Sequence, residues 1–456
     1  MRHILFIITV GVLAVAGKAQ DYILVGEAYS AKVSKINPVT NTKIASIQVA
    51  DSIGVPIPNL VKMVLDTIHN WAYIACHTAN TIAVIDLNTW TATYPNFITI
   101  PGLGKGPIGL ALNKTADRLY VTTRGPNNIQ DSLNPLEIIS ISGTSFPPTL
   151  TKIGEVPVGK HPINVVLSHD DKYAVVSCRN QARIAVVDLT GDSVIYRYNY
   201  PNTTYEPEGI DIHPALNLFY CTTHGQNTID LLDLDSMKVI NSFPITYSGA
   251  PPQPSGGLFS PDGSIFLLSA QTSGKIYVYN TANPYIPIFI PPVLPSGGAQ
   301  PHRGVFLNDT IAYIPNTNNT QPVGSVSIVN TGVTHANIGQ VSGTWNGPLS
   351  MVLVKSSVTS AHEKSTSTPE QFILHQNYPN PFNPTTTIRF SLPQRQYVTL
   401  KVFDVLGREV ATLVNAQITA GVHSIVFDSN GLASAVYFYR LETGHFVETR
   451  KLILLR

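Results

Sequence analysis

Charge is scarce in this chain: only 12% of its 456 residues are Asp, Glu, Lys or Arg, the formal net charge is +1, and no run of lysines or arginines occurs. A chain so thinly charged has no electrostatic footprint for nucleic acid or for an anionic membrane as partner. Cysteine is scarcer still. Cys76, Cys178 and Cys221 are an odd number, so at least one is unpaired, and their spacing fits neither a zinc site nor a haem attachment motif; they read as small buried strand residues. Long apolar runs are missing except near the start, where residues 4–16 follow Arg2 and precede the small residues Gly17 and Ala19. That run is shorter than the roughly 18 apolar residues of a membrane span. Residues 1–19 are therefore expected to be a secretory signal peptide, and the mature chain to have no transmembrane segment. Motifs for a nucleophile elbow, a metal or a cofactor are also absent, so neither metal nor cofactor is expected. The run GLGKGPIG at 102–109 looks like a phosphate loop, yet it leads into a strand and not into a helix N-terminus.

What the chain has in quantity is glycine (32), proline (34) and tyrosine (20) in a sequence that is 43% hydrophobic, a mixture that suits short strands joined by tight turns and an all-β fold. Self-similarity adds detail. Seven segments open with proline and run into an apolar strand: PNLVKMVL at 58, PIGLAL at 107, PINVVL at 162, PEGIDI at 207, PSGGLF at 254, PHRGVF at 301 and PLSMVL at 348, at intervals of 49, 55, 45, 47, 47 and 47. Each full repeat continues through a polar turn, a second strand, a loop, a third strand ending in Asp or Asn, and a fourth strand, as in YAVVSCRNQARIAVVDLT at 173–190. Turns such as SHDDK (168–172) and SPDGS (260–264) supply Asp and Gly for the reversals. Four short strands in roughly 40–50 residues describe a β-propeller blade. The first segment, residues 22–49, supplies only three strands, whereas PLSMVLV at 348–354 is a strand with no repeat of its own. An open ring would leave a sheet edge in water. The C-terminal strand is therefore expected to complete the N-terminal blade, giving a seven-bladed β-propeller over residues 21–354.

These repeats resemble the family named for a Tyr-Val-Thr-Asn motif, through YVTT (120–123), VIDLNT (84–89) and VPVG (156–159). The resemblance implies a fold far more than an activity. Residues 355–371 are polar and read as a linker. After them, strand-length alternation broken at LGR, AGV and ETG predicts a small Ig-like antiparallel β-sandwich over 372–456. This tail resembles the C-terminal sorting domain of type IX (Por) secretion cargo through Asn377, Tyr378, Pro379, Asn380, Pro381 and Phe382, then Gly407, Arg408 and Glu409, then Tyr437, Tyr439, Arg440 and Leu441, and finally Lys451 to Arg456. Ala435 departs from it, standing where the family usually has Gly. The resemblance implies export through the periplasm, recognition by the type IX machinery at the outer membrane, and a secreted or cell-surface product.

In a meander the loop before the first strand and the loop after the second lie at the same end of the channel. The first set contributes His161, Glu206, Glu208, His302 and Arg303; the second contributes Glu27, His77, Arg124, Arg179, His224 and Gln271. His77, Arg179, His224 and Gln271 each lie nine residues before an Asp or Asn that ends a third strand, which makes them equivalent positions. The candidate ligand-binding residues are His77, His161, Arg179, Glu206, Glu208, His224, His302 and Arg303, densest around blades 4 and 5. Two functions follow. In one, the propeller presents a rigid face to a protein, glycan or small-molecule ligand. In the other it is a hydrolase of the lactonase type, in which His224 or Glu208 activates water and Arg179 holds the developing negative charge. Lactonase-like propellers usually carry Gly-Pro-Arg-His at an inner-strand start, whereas this chain has Pro301, His302, Arg303 and Gly304.

Overall fold

A computed structural model describes residues 21–355 and 372–455, apart from 51–55, 57, 91–96, 99, 101, 104, 125–133, 248, 250, 318–323, 333–334, 375–376, 378–379, 381, 419–420, 430 and 445. The expected signal peptide and, but for Lys355, the expected linker lie outside the described residues. Two compact units divide the chain, residues 1–358 and 359–456.

The first unit is built from seven four-stranded antiparallel sheets. Blade 1 orders its strands Pro348–Val354, Tyr22–Glu27, Lys32–Asn37 and Thr42–Gln48, and blades 2 to 7 follow with innermost strands Leu60–Asp66, Pro107–Leu112, Pro162–Leu167, Pro207–Ile212, Pro254–Phe259 and Val305–Phe306. Closure is direct: Leu24 pairs with Val352 and Val25 with Met351. Met351, Ile23 and Val25 then pack with Tyr313, Val326 and Trp345 of blade 7 in one apolar cluster. The strand without a repeat is the missing innermost strand of blade 1.

Middle strands are covered on both faces by neighbouring blades, so they are apolar throughout instead of alternating. Trp71–Cys76 and Thr81–Asp86 are buried at every position. Successive side chains point to opposite faces, so Ala72 and Ile74 pack with blade 1 while Tyr73 and Ala75 pack with blade 3. Burying one such Ile or Leu contributes about 1.5–3 kcal/mol. Cys76, Cys178 and Cys221 are free and buried in these strands. The innermost strands approach so closely that glycine is needed: a Cβ on Gly209 would lie 2.6 Å from the Cα of Gly256 on the next blade. Outer strands bulge at Ile44, Ile153, Ile195, Ile240 and Ile338, each skipped in the pairing register and each exposed. A bulge disrupts the ladder on an edge strand and so discourages pairing with another chain.

The second unit is a sandwich of a three-stranded and a four-stranded sheet. Inward positions alternate, as with Val398, Leu400 and Val402 on Gln396–Phe403 and Tyr437, Tyr439 and Leu441 on Ala435–Glu442, all in one core with Ile388, Phe390 and Phe382. The Asn-Pro-rich entry is tied to the last strand: Phe382 N donates to Ile453 O at 2.9 Å and Ile453 N to Asn380 Oδ1 at 2.7 Å. Asn377 is buried, and its N–H donates to the Tyr439 hydroxyl at 2.7 Å. Gly407 has φ +76° in the turn that Asp404 caps through the N–H groups of Leu406 and Arg408. Tyr437 donates to Ala433 O, Arg440 lies over the Phe403 ring, and Lys451 is exposed. Of the other sorting residues, Tyr378, Pro379, Pro381 and Arg456 lie outside the described residues.

Candidate functional site at the channel mouth

Every blade repeats one construction at the same end of the channel. In blades 1 to 6 the residue before the innermost strand, and in blade 7 Gln300 five residues before it, has a left-handed backbone, and its carbonyl accepts from the N–H of the first residue after the second strand. The pairs are Gly347 with Ala28, Asn59 with His77, Gly106 with Arg124, His161 with Arg179, Glu206 with His224, Gln253 with Gln271, and Gln300 with Thr317. Proline follows the left-handed residue directly in all but the Asn59 pair. Because proline has no N–H, no side chain is needed to cap that position, and the acids and bases of the mouth are free to reach sideways.

The exit residues form an asymmetric ring. His77, Arg124, Arg179 and His224 occupy four consecutive blades, and Gln271, Thr317 and Ala28 the other three. Sequence reasoning put Glu27 at the exit of blade 1, and this is corrected: Glu27 is the last residue of its strand, and Ala28, nine residues before Asn37, is the exit residue whose N–H donates to Gly347 O. Glu27 is instead fully buried, paired with Lys43 Nζ at 2.6 Å and accepting from Asn346 N at 2.9 Å.

Blades 4 and 5 bring four of the candidate residues into one network. Arg179 Nη1 donates to Glu208 Oε2 at 2.9 Å and Nη2 to Glu206 Oε2 at 2.7 Å. His224 Nδ1 lies 3.1 Å from Glu206 Oε2 and 3.3 Å from Arg179 Nη2. Local structure sets this up: Arg179 begins a short 3-10 turn, and Ser177, two residues earlier, donates its hydroxyl to Glu208 O across the blade interface at 2.8 Å. Burial pushes the Glu208 carboxyl up to about 7, with Arg179 opposing that rise and Glu206 adding to it. Burial also works against charge on Glu206, but Arg179 outweighs it and holds that carboxyl below its usual value. Burial, then Arg179, lowers His224.

His77 and His161 stand on the other flank, around Arg124. His161 Nδ1 lies 2.9 Å from Asn180 Oδ1, and burial brings the ring down to about 4. Burial followed by Arg124 lowers His77. His77, Arg124, His161, Arg179 and Glu208 all line a central cavity of about 970 Å³ that the innermost strands enclose. His302 and Arg303 line it too but do not join the mouth network: Arg303 Nη2 binds Asp211 Oδ1 at 2.5 Å, and burial takes His302 down to about 4. Glu206 and His224 sit outside the cavity wall, and among the described residues Gln271 is hydrogen-bonded to Gln253 and not to the network.

Sequence reasoning missed Lys62, Asp211 and Asn180. Lys62 lines the channel near Arg303 and Asp211, and burial, then Arg303, lowers its amine to about 7. A signal for two of the three existed. Lys62 and Asp211 both lie four residues after the repeat's opening proline, where the other repeats have Ala111, Val166, Leu258, Val305 and Val352. Among the described residues, no group of three or more His, Cys, Asp or Glu side chains is placed to hold a metal ion.

Residues 376–455 match the model of the secretion system C-terminal sorting domain. That match carries export through type IX secretion to the cell surface or the extracellular space. Among the described residues, no helix is long and apolar enough to cross a membrane. No curated protein matches the chain. Solved structures similar to it include a Lactobacillus plantarum protein (13% identity, TM-score 0.58, covering 74% of this chain and 100% of that one). Another is the periplasmic gluconolactonase of Pseudomonas aeruginosa (11% identity, TM-score 0.56, 73% and 99%). A third is Kuenenia stuttgartiensis hydrazine synthase (13% identity, TM-score 0.53, 68% and 97%). At such identities the likeness is one of fold.

Proposed function

We propose that the chain is a YVTN-type propeller exported by its C-terminal domain to bind a small polar ligand at the blade 2 to blade 5 side of the channel mouth. The observation that carries this reading is the asymmetric ring. Four consecutive blades present His or Arg at the mouth, three of them, His77, Arg124 and Arg179, on the wall of a cavity of about 970 Å³, and the other three blades present neutral side chains. That volume is of the size that small-molecule sites occupy, and a few convergent polar groups in a largely apolar wall are what fixes a ligand's orientation. Binding is favoured over hydrolysis because Arg179 already holds two carboxylates. A guanidinium so occupied has little left to offer a developing oxyanion.

One observation favours a second reading, a lactonase-type hydrolase. Glu208 titrates near 7 on the cavity wall, the range suited to a general acid or base. His224, outside the wall, then only orients Glu206. The two readings part in one experiment: a lactone and ester hydrolysis screen on the purified protein beside its Glu208→Gln variant. The binding reading expects no turnover above background from either protein. Turnover lost in Glu208→Gln would establish the hydrolase instead.

A further inference from the structure

We propose that the flank of the mouth formed by blades 2 to 4 takes a small hydroxylated carboxylic acid, with Arg124 holding its carboxylate and His161 accepting from one of its hydroxyls. This deepens the ligand-site reading above and rests on it. Two of the channel's arginines have carboxylate partners: Arg179 has Glu206 and Glu208, and Arg303 has Asp211. Arg124 has none among the described residues, and its Nε is buried without a hydrogen-bond partner. Of the charges nearest it, Arg179 and His77 are themselves basic, and Glu208 favours it only through space, its carboxylate being bonded to Arg179 instead. A partly buried guanidinium without an ion-pair partner is costly, and a ligand carboxylate is the group that completes it, by the paired geometry that guanidinium and carboxylate share.

His161 asks for the opposite kind of partner. It is only 8% exposed, and Asn180 presents its carbonyl oxygen to Nδ1. That assigns the proton to Nδ1 and leaves Nε2 as a bare acceptor. Nε2 is buried, has no partner and belongs to a side chain on the cavity wall. An acceptor in that state requires a donor, which a hydroxyl supplies and a second carboxylate does not. Gly106 holds the flank together: a Cβ there would meet His77 Cε1 at 2.7 Å and Arg124 Cβ at 3.4 Å, so only glycine lets both side chains stand this close. Charge count favours a single carboxylate over a phosphate dianion. One unpaired guanidinium balances one negative charge, and a second would face Glu208 and Glu206 across the mouth.

The test is isothermal titration of the purified full chain with gluconate, hexanoate and sorbitol. All three have six carbons, but hexanoate lacks hydroxyls and sorbitol lacks the carboxylate; gluconate, with a hydroxyl on every carbon beyond its carboxylate, needs no assumed spacing between Arg124 and His161. Gluconate is expected to bind saturably at one site, and each of the others at least about tenfold more weakly. Arg124→Gln, which removes a side chain with no ion-pair partner among the described residues, is expected to weaken gluconate by about tenfold or more without lowering the unfolding midpoint. His161→Asn is expected to bring gluconate and hexanoate closer together. The proposal is overturned if gluconate binding survives Arg124→Gln or if hexanoate or sorbitol binds as well. If only sorbitol binds, and Glu208→Gln weakens it, the ligand class falls while the channel reading stands; if none of the three binds and a wider panel of sugars and glycan fragments is also inert, both fall.

Discussion

At one end of the propeller channel, Asp66, Asp170 and Asp262 accept hydrogen bonds from backbone amides of their own turns: His69 N to Asp66 at 2.9 Å, Lys172 N to Asp170 at 3.2 Å, Ser264 N to Asp262 at 3.0 Å. At the other end, Glu206 and Glu208 hold the guanidinium of a neighbouring blade. The same end as the aspartates also carries the turns between third and fourth strands, where Asn37, Asp86, Asp188, Asp233, Asn280 and Asn330 accept from the amide two residues on at 2.7–3.2 Å. A tight reversal leaves N–H groups that must be met locally, so acids there are consumed by the fold. The mouth has left-handed residues followed by proline, with fewer amides to satisfy. Its charged side chains are left for one another and for a ligand.

The contrast predicts unequal responses to equal truncations. Arg179→Ala leaves two carboxylates facing each other without their cation and is expected to have the largest effect, about 1–3 kcal/mol of lost stability given their partial exposure, measured by denaturant midpoint. Next is Glu208→Gln. In the folded chain the Glu208 carboxyl titrates near 7 against an ordinary 4.5, so the folded state holds that proton more tightly. Its contribution is complete below the ordinary value and is lost as pH rises through the folded one. The stability of the native chain relative to Glu208→Gln should therefore decline between about pH 4.5 and 7, and a difference flat with pH would remove the buried-carboxyl account. Smallest is Asp262→Ala at the turn end, expected to cost about 1 kcal/mol, through the loss of its bonds to Ser260 and Ser264. A cost there equal to that of Arg179→Ala would erase the distinction between the two ends.

Much of this is legible in the sequence. The opening prolines and their spacing gave the innermost strands, and PLSMVLV could only be the missing strand of blade 1 because a toroid tolerates no open edge. Meander geometry groups His161, Arg179, Glu206, Glu208 and His224 at one end; hydrogen bonds join the last four, while His161 pairs with Asn180 on the other flank. Glu27 reads as an exit residue because it is the first charged side chain after an apolar run, whereas the strand runs one residue further and buries it. Lys62 and Asp211 do not stand out because they lie in strands, which read as core, although the channel wall is made of strands. Arg124 was seen among the exit residues, but its lack of a partner is a three-dimensional fact that spacing cannot report.

The most direct measurement of the central claim is a pair of gluconate titrations, one on Arg124→Gln at the mouth and one on Asp262→Ala at the turn end, each against the native chain. The account predicts affinity lowered about tenfold or more by the first and unchanged by the second. Equal affinity in all three proteins, or a loss confined to Asp262→Ala, would contradict it.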